Sequence, residues 1–139
     1  MDNVNTWNPH LCARLYGKEK RFEEILKSSW IRPEDLELYD DLFPVVKLAT
    51  RQHSHPRIVI GAYAARHFDG NLLELLEPGF AGLFAPYIID NRRFPPEWRQ
   101  TASSCVKNCR QCGKCQDILR QVMVSAPGAP ISFNPPRHP

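Results

Sequence analysis

The stretch PVVKLAT, residues 44–50, is short, apolar and rich in β-branched side chains. Those properties predict a β-strand, and no other part of the chain shows them as clearly. One strand alone cannot make a sheet. The chain must therefore be mostly helical, or it must pair this strand with something outside the segment. A length of 139 residues suits one domain around one hydrophobic core.

Helical signals lie on both sides of that strand. KEKRFEEILKS, residues 18–28, puts Phe22, Ile25 and Leu26 on one face. In SSWIRPEDLELYDDLF, residues 28–43, Pro33 suits a first helical position. Glu34 and Asp35 suit the first turn, where the helix dipole favours carboxylates, and Leu36, Tyr39, Leu42 and Phe43 form an apolar stripe. Further on, Ser54 or His55 can cap a helix opened by Pro56, with Ile58, Ala62 and Ala65 at helical spacing and Asp69-Gly70-Asn71 as its stop. NLLELLEP forms a short helix closing at Pro78, PYIID (86–90) a short extended piece, and QDILRQVMV (116–124) a final helix. The last 14 residues carry five prolines. The expected architecture is mostly α with one or two short strands. It comprises an irregular arm (1–17), a helix–strand–helix domain (18–78), a loop region with a cysteine cluster and the final helix (79–124), and a Pro-rich flexible tail (125–139).

Four of the five cysteines fall within TASSCVKNCRQCGKCQ, at Cys105, Cys109, Cys112 and Cys115. An odd cysteine count argues against a disulfide framework. MDNVNTWNPH has neither the basic start nor the apolar stretch of a secretory signal. A reducing, cytoplasmic compartment is expected, where clustered thiols bind metal or do redox chemistry. The spacing Cys-x3-Cys-x2-Cys-x2-Cys lets several sulfurs converge on one centre, and Gly113 permits the turn between the third and fourth. Structural zinc sites usually grip the ion with two separated Cys-x2-Cys pairs. Nearly contiguous ligands are commoner for a [4Fe–4S] cluster, whose irons are spread widely enough for one loop to wrap several corners. Zinc remains the alternative cofactor. Cys12 is a candidate remote ligand or else a small buried apolar residue.

The first three loop cysteines also have the spacing of radical S-adenosylmethionine enzymes. Gln111 stands where that family usually has an aromatic residue, only 24 residues follow Cys115, and a fourth thiol competes for the iron that catalysis needs. Self-contained radical chemistry is not expected.

Lys107, Arg110 and Lys114 interleave with the cysteines and can offset cluster charge and tune its potential. A net charge of +3 permits nucleic-acid contact, but no aromatic residue among these cations can stack a base, so that partner is not favoured. No run of about 18 apolar residues offers a membrane span. His53 and His55 can ligate a metal or simply open a helix. Glu34, Asp35, Glu37, Asp40 and Asp41 can form an acid–base cluster or a solvated, dipole-compensating face. Arg92 and Arg93 can bind phosphate or pair locally. Phosphate loops, nucleophile elbows and His-Glu-x-x-His helices are all missing, so no complete catalytic constellation is visible.

Residues 29–77 resemble the C-terminal part of the collagenase-like peptidase family. The matching residues are Ile31 to Asp35, Lys47 to Ala49 with Arg51, and Phe68 to Asn71. The resemblance implies a (β/α) barrel of which this chain holds the last strand–helix unit, with a cysteine extension. It also implies a cysteine-ligated [4Fe–4S] cluster of the kind some members use in hydroxylating RNA or quinone precursors. Without the earlier strands the barrel's catalytic residues do not carry over. The expected function is an iron–sulfur protein or accessory subunit, in electron transfer or in support of a partner enzyme. The alternative is a zinc-stabilised module for protein or RNA binding.

Overall fold

The computed structural model describes residues 22–28, 30–76, 81–126 and 129–130. At its centre, Tyr87–Ile89 (β1) runs antiparallel to Met123–Ser125 (β2), with Ile88 opposite Val124 and Ile89 opposite Met123. Ala129–Pro130 (β3) pairs along the other edge of β2. The order is β1-β2-β3. Around this sheet lie α1 (Glu23–Lys27), α2 (Pro56–Ala65), α3 (Ala81–Phe84), α4 (Trp98–Ser103) and α5 (Lys114–Val122). Single 3-10 segments occupy Pro33–Tyr39, Leu72–Glu74 and Asn91–Arg93. The fold is mostly helical with a small sheet, as composition and periodicity predict, and the extended piece around Tyr87 is β1.

Several boundaries differ from expectation. Residues 44–50 form no strand, because nothing among the described residues pairs with them. The stripe from Leu36 to Phe43 is only half realised. Leu36 is buried, but the segment is a 3-10 helix ending at Tyr39, and Leu42 and Phe43 face solvent. Of the expected α2 row Ala62 is buried, but Ile58 and Ala65 are exposed and Val59 is buried instead. That helix stops before Asp69-Gly70-Asn71, at Arg66, a non-glycine residue in the left-handed conformation at φ 52°. The final helix starts earlier and ends earlier than its apolar pattern suggests. Its last two expected residues, Met123 and Val124, open β2, where sheet pairing overrides helical periodicity. The tail expected from 125 begins inside β2 and supplies β3; residues 131–139 lie outside the described residues. So does the arm 1–17.

The core gathers Ile25, Leu72, Leu73, Ile89, Leu119, Val122 and Val124, each at most 2% exposed. At its side Trp30 stacks on Trp98 at 5.8 Å, with Phe94 edge-on to both and the Arg32 guanidinium over the Phe94 ring at 4.5 Å.

A polar clamp joins the distant pieces of backbone. The Asn91 side chain, 1% exposed, donates to Glu34 Oε1 (2.8 Å) and to the Phe68 carbonyl (2.7 Å). Its Oδ1 accepts from Arg32 Nε at 2.8 Å. The Phe68 amide donates to Glu34 Oε1, and the Asn91 amide donates to the Gly70 carbonyl. Asn71 does the same work one step away, its Oδ1 accepting from the Leu73 and Ile89 amides. Tyr63 donates its hydroxyl to the Ile31 carbonyl at 2.6 Å, and burial, with the Glu34 charge behind it, pushes its pKa up to about 12.

Truncating Asn91 leaves several buried partners unsatisfied at once, each costing about 1–3 kcal/mol. Asn91→Ala should therefore lose about 3 kcal/mol in urea denaturation, with a melting midpoint lower by roughly 10 °C. Asp90 gives a pH signature. The Arg92 guanidinium, bonded to it at 3.0 and 2.9 Å, holds its carboxyl below the usual carboxylate range despite burial. A carboxyl depressed on folding stabilises fully above its unfolded pKa of about 4, and that contribution is lost as pH falls through the folded value. The stability gap between the parent chain and Asp90→Asn should thus be largest near neutral pH and close as acid is added.

Candidate metal-binding loop

The cysteine loop hangs between two helices that the core holds. Trp98 anchors α4, and Ile118, Leu119 and Val122 anchor α5, which packs against α1. Cys115 sits in the first turn of α5 on that same face, at positions i, i+3, i+4 and i+7 with the three anchors, and packs partly against the core. Cys105, Cys109 and Cys112 are exposed, and all four are free thiols.

Backbone geometry shapes the loop. Lys107 adopts the left-handed conformation at φ 57°, which turns its amide toward Cys105 Sγ at 3.4 Å. The Asn108 carbonyl accepts from the Gln111 and Cys112 amides at 3.2 and 3.1 Å, and its side chain donates to Gln111 Oε1 at 2.9 Å. A left-handed residue and an Asn turn thus fold the stretch that carries three of the sulfurs.

The four sulfurs feel one another. Burial pushes the Cys115 pKa up, and the charges of Cys105, Cys109 and Cys112 push it further, while Lys27 pulls against them. Lys27, in α1, is itself raised: burial opposes, its hydrogen bond to Glu24 leads the opposing effects, and the charge of Cys109 adds to them. Lys27 is thus the cation the fold brings to the sulfurs. Sequence spacing could not find it, because it lies some eighty residues away. Of the cations expected to tune the site, Lys107 contributes its backbone amide, while Arg110 and Lys114 are exposed on the loop and the first turn of α5. Among the described residues no three His, Cys, Asp or Glu side chains are already gathered in ligating geometry. A metal would therefore close the exposed loop around itself, coupling binding to loop folding. The donor set fits: four unpaired thiols within reach of each other's charge, with one amide already on sulfur. Cys12 lies outside the described residues.

The other candidates fall to structural roles. His53 is buried, its Nε2 2.7 Å from the Glu74 carbonyl and its Nδ1 accepting from the His55 amide, so both nitrogens are occupied. Four of the five acids of that run are engaged by partners, while Asp41 is exposed. Asp35 and Glu37 pair with Arg99, Asp40 pairs with Arg66, and Glu34 belongs to the Asn91 clamp. Arg92 pairs with Asp90. A groove of about 360 Å³ between α4 and α5, lined by Gln100, Ser104, Lys114 and Asp117 among others, opens beside the loop.

Taken together these features define a small, mostly helical domain carrying an exposed four-thiol loop. No protein-family model matches the chain, and no solved structure matches it. It is similar to an uncharacterized protease of Methanocaldococcus jannaschii, 37% identical over 118 residues. The match covers 81% of this chain and 33% of that protein, so the chain spans about a third of the relative's length. Among the described residues no helix is long and apolar enough to cross a membrane.

In the metal-free chain, a raised pKa and partial burial should make Cys115 the slowest of the four loop thiols to alkylate near pH 7.5, because the thiolate is the nucleophile. Mass-resolved iodoacetamide labelling checks this.

Proposed function

We propose that the chain is an iron–sulfur protein or accessory unit whose Cys105, Cys109, Cys112 and Cys115 hold a [4Fe–4S] cluster. The observation that carries this is four free thiols in one eleven-residue stretch, three of them exposed and the fourth, Cys115, held by the first turn of α5. When bound, the cluster would supply one-electron transfer. The chain's own residues do the rest. α5 and the core fix Cys115, the Lys107 amide donates to sulfur, and Lys27 offsets thiolate charge. A reducing, cytoplasmic setting suits four free thiols. The relative's name as a protease suggests an association with peptidase-type proteins.

Anaerobic purification tests the proposal. Brown protein with about four iron and four sulfide per chain supports it; colourless protein carrying one zinc per chain would replace the cluster with a structural ion. Serine at any one of Cys105, Cys109, Cys112 or Cys115 should remove or strongly bleach the visible band, whereas Cys12→Ser should leave it. Lys27→Gln should keep the band and lower the reduction potential, since removing a nearby positive charge disfavours the added electron.

A further inference from the structure

The last two loop thiols stand differently from the first two. Cys112 and Cys115 flank Gly113 and Lys114, and Gly113 is the N-cap of α5, so the pair straddles the start of a nine-residue helix. The backbone is held on both sides of the pair. The Asn108 carbonyl accepts from the Cys112 amide at 3.1 Å, and the Gly113 carbonyl accepts from the Asp117 amide at 3.1 Å. Cys112 is exposed, whereas Cys115 is half-buried and packs against the core. Cys-x-x-Cys is the spacing of redox-active dithiols, in which one thiol meets the substrate and the other resolves the adduct. Cys109 and Cys112 share that spacing, but both are exposed, so nothing divides the two roles between them.

The groove between α4 and α5 adjoins this pair, since Lys114, which lies between the two cysteines, is part of its lining. Both signs of charge line it, Lys114 facing one way in sign and Glu97 and Asp117 the other, together with the amides of Gln100 and Gln121. Its volume of about 360 Å³ is near the small end of ligand sites and suits a peptide of a few residues. A peptide bearing both an ammonium and carboxylates matches that lining. We propose that in the metal-free chain Cys112 and Cys115 are a thiol–disulfide exchange centre, whose substrate is a disulfide carried on a short, charged peptide seated in this groove. The inference needs two of the four thiols and does not rest on the cluster.

The exchange balances. The Cys112 thiolate attacks one sulfur of the substrate, forming a mixed disulfide and releasing the other half as a thiolate. Cys115 then loses its proton and attacks Cys112 Sγ, closing the Cys112–Cys115 bond and expelling the second half. The substrate gains two electrons from the two cysteines, and their two protons end on the released thiolates.

Glutathione disulfide, a peptide disulfide with charges of both signs, is the probe for the full chain stripped of metal under anaerobic conditions. Trypsin cuts after Lys107, Arg110 and Lys114, so each loop thiol lies on its own peptide and mass spectrometry reads each separately. The product should be a Cys112–Cys115 disulfide with about two glutathione thiols released per chain. Cys115→Ser should trap glutathione on Cys112. The parent chain should react at least about tenfold faster with glutathione disulfide than with uncharged 2-hydroxyethyl disulfide, and Lys114→Glu should shrink that preference. Adducts spread evenly over Cys105, Cys109 and Cys112, or a disulfide joining Cys109 to Cys112, overturn the exchange centre. Equal rates with the two disulfides overturn the groove as its substrate site. Iron content and the visible band, which decide the cluster, are read separately from these masses.

Discussion

The fold depends on one amide. Asn91 is buried where three distant backbone pieces meet, and its side chain joins Arg32 and Glu34 to the Phe68 carbonyl. A buried amide is stable only when its donors and acceptor are all engaged. Satisfying them fixes the Ile31–Asp35 stretch, the turn after α2 and the exit of β1 relative to one another. The sheet then places β2 against β1, and β2 is the direct continuation of α5. The position of the cysteine loop therefore follows, through α5, from a clamp that contains no cysteine.

The residues that carry the family resemblance divide accordingly. Ile31 to Asp35 and Phe68 to Asn71 meet at Asn91, where they hold the fold together. Lys47 to Ala49 stand on the exposed run that has no partner within the described chain. The same short motifs thus serve two purposes, one closing this unit and one facing outward. Acids that look catalytic in a string of letters prove to be ion-pair partners once Arg66 and Arg99 arrive from elsewhere in the chain.

At the loop, burial and charge act in opposite senses. Cys115 extends the apolar stripe of α5, which anchors the loop at one end but raises the cost of its thiolate. The other three thiols are open to solvent, where an ion can reach them. α1 packs on α5, and the charge of Lys27 reaches Cys109 and Cys115.

Some of this was legible in residue order alone. Helix positions follow from apolar spacing and from Pro33 and Pro56, and the four-thiol loop follows from its own spacing, because these are local properties. The end of the last helix at Val122, the burial of Val59 in place of Ile58 in α2, and the charge coupling of Lys27 to Cys109 and Cys115 were not legible, since each depends on what packs alongside. By itself the sequence determined that the chain is mostly helical, that four sulfurs share one loop, and that 44–50 has the composition of a strand. Only the tertiary structure decided that Met123 and Val124 leave the helix for a sheet, that Asn91 and Asn71 are the ties, and that 44–50 pairs with no strand among the described residues. The reason is physical. Helical propensity and ligand spacing are set by near neighbours, whereas sheet pairing and the satisfaction of buried polar groups need partners far away in the chain.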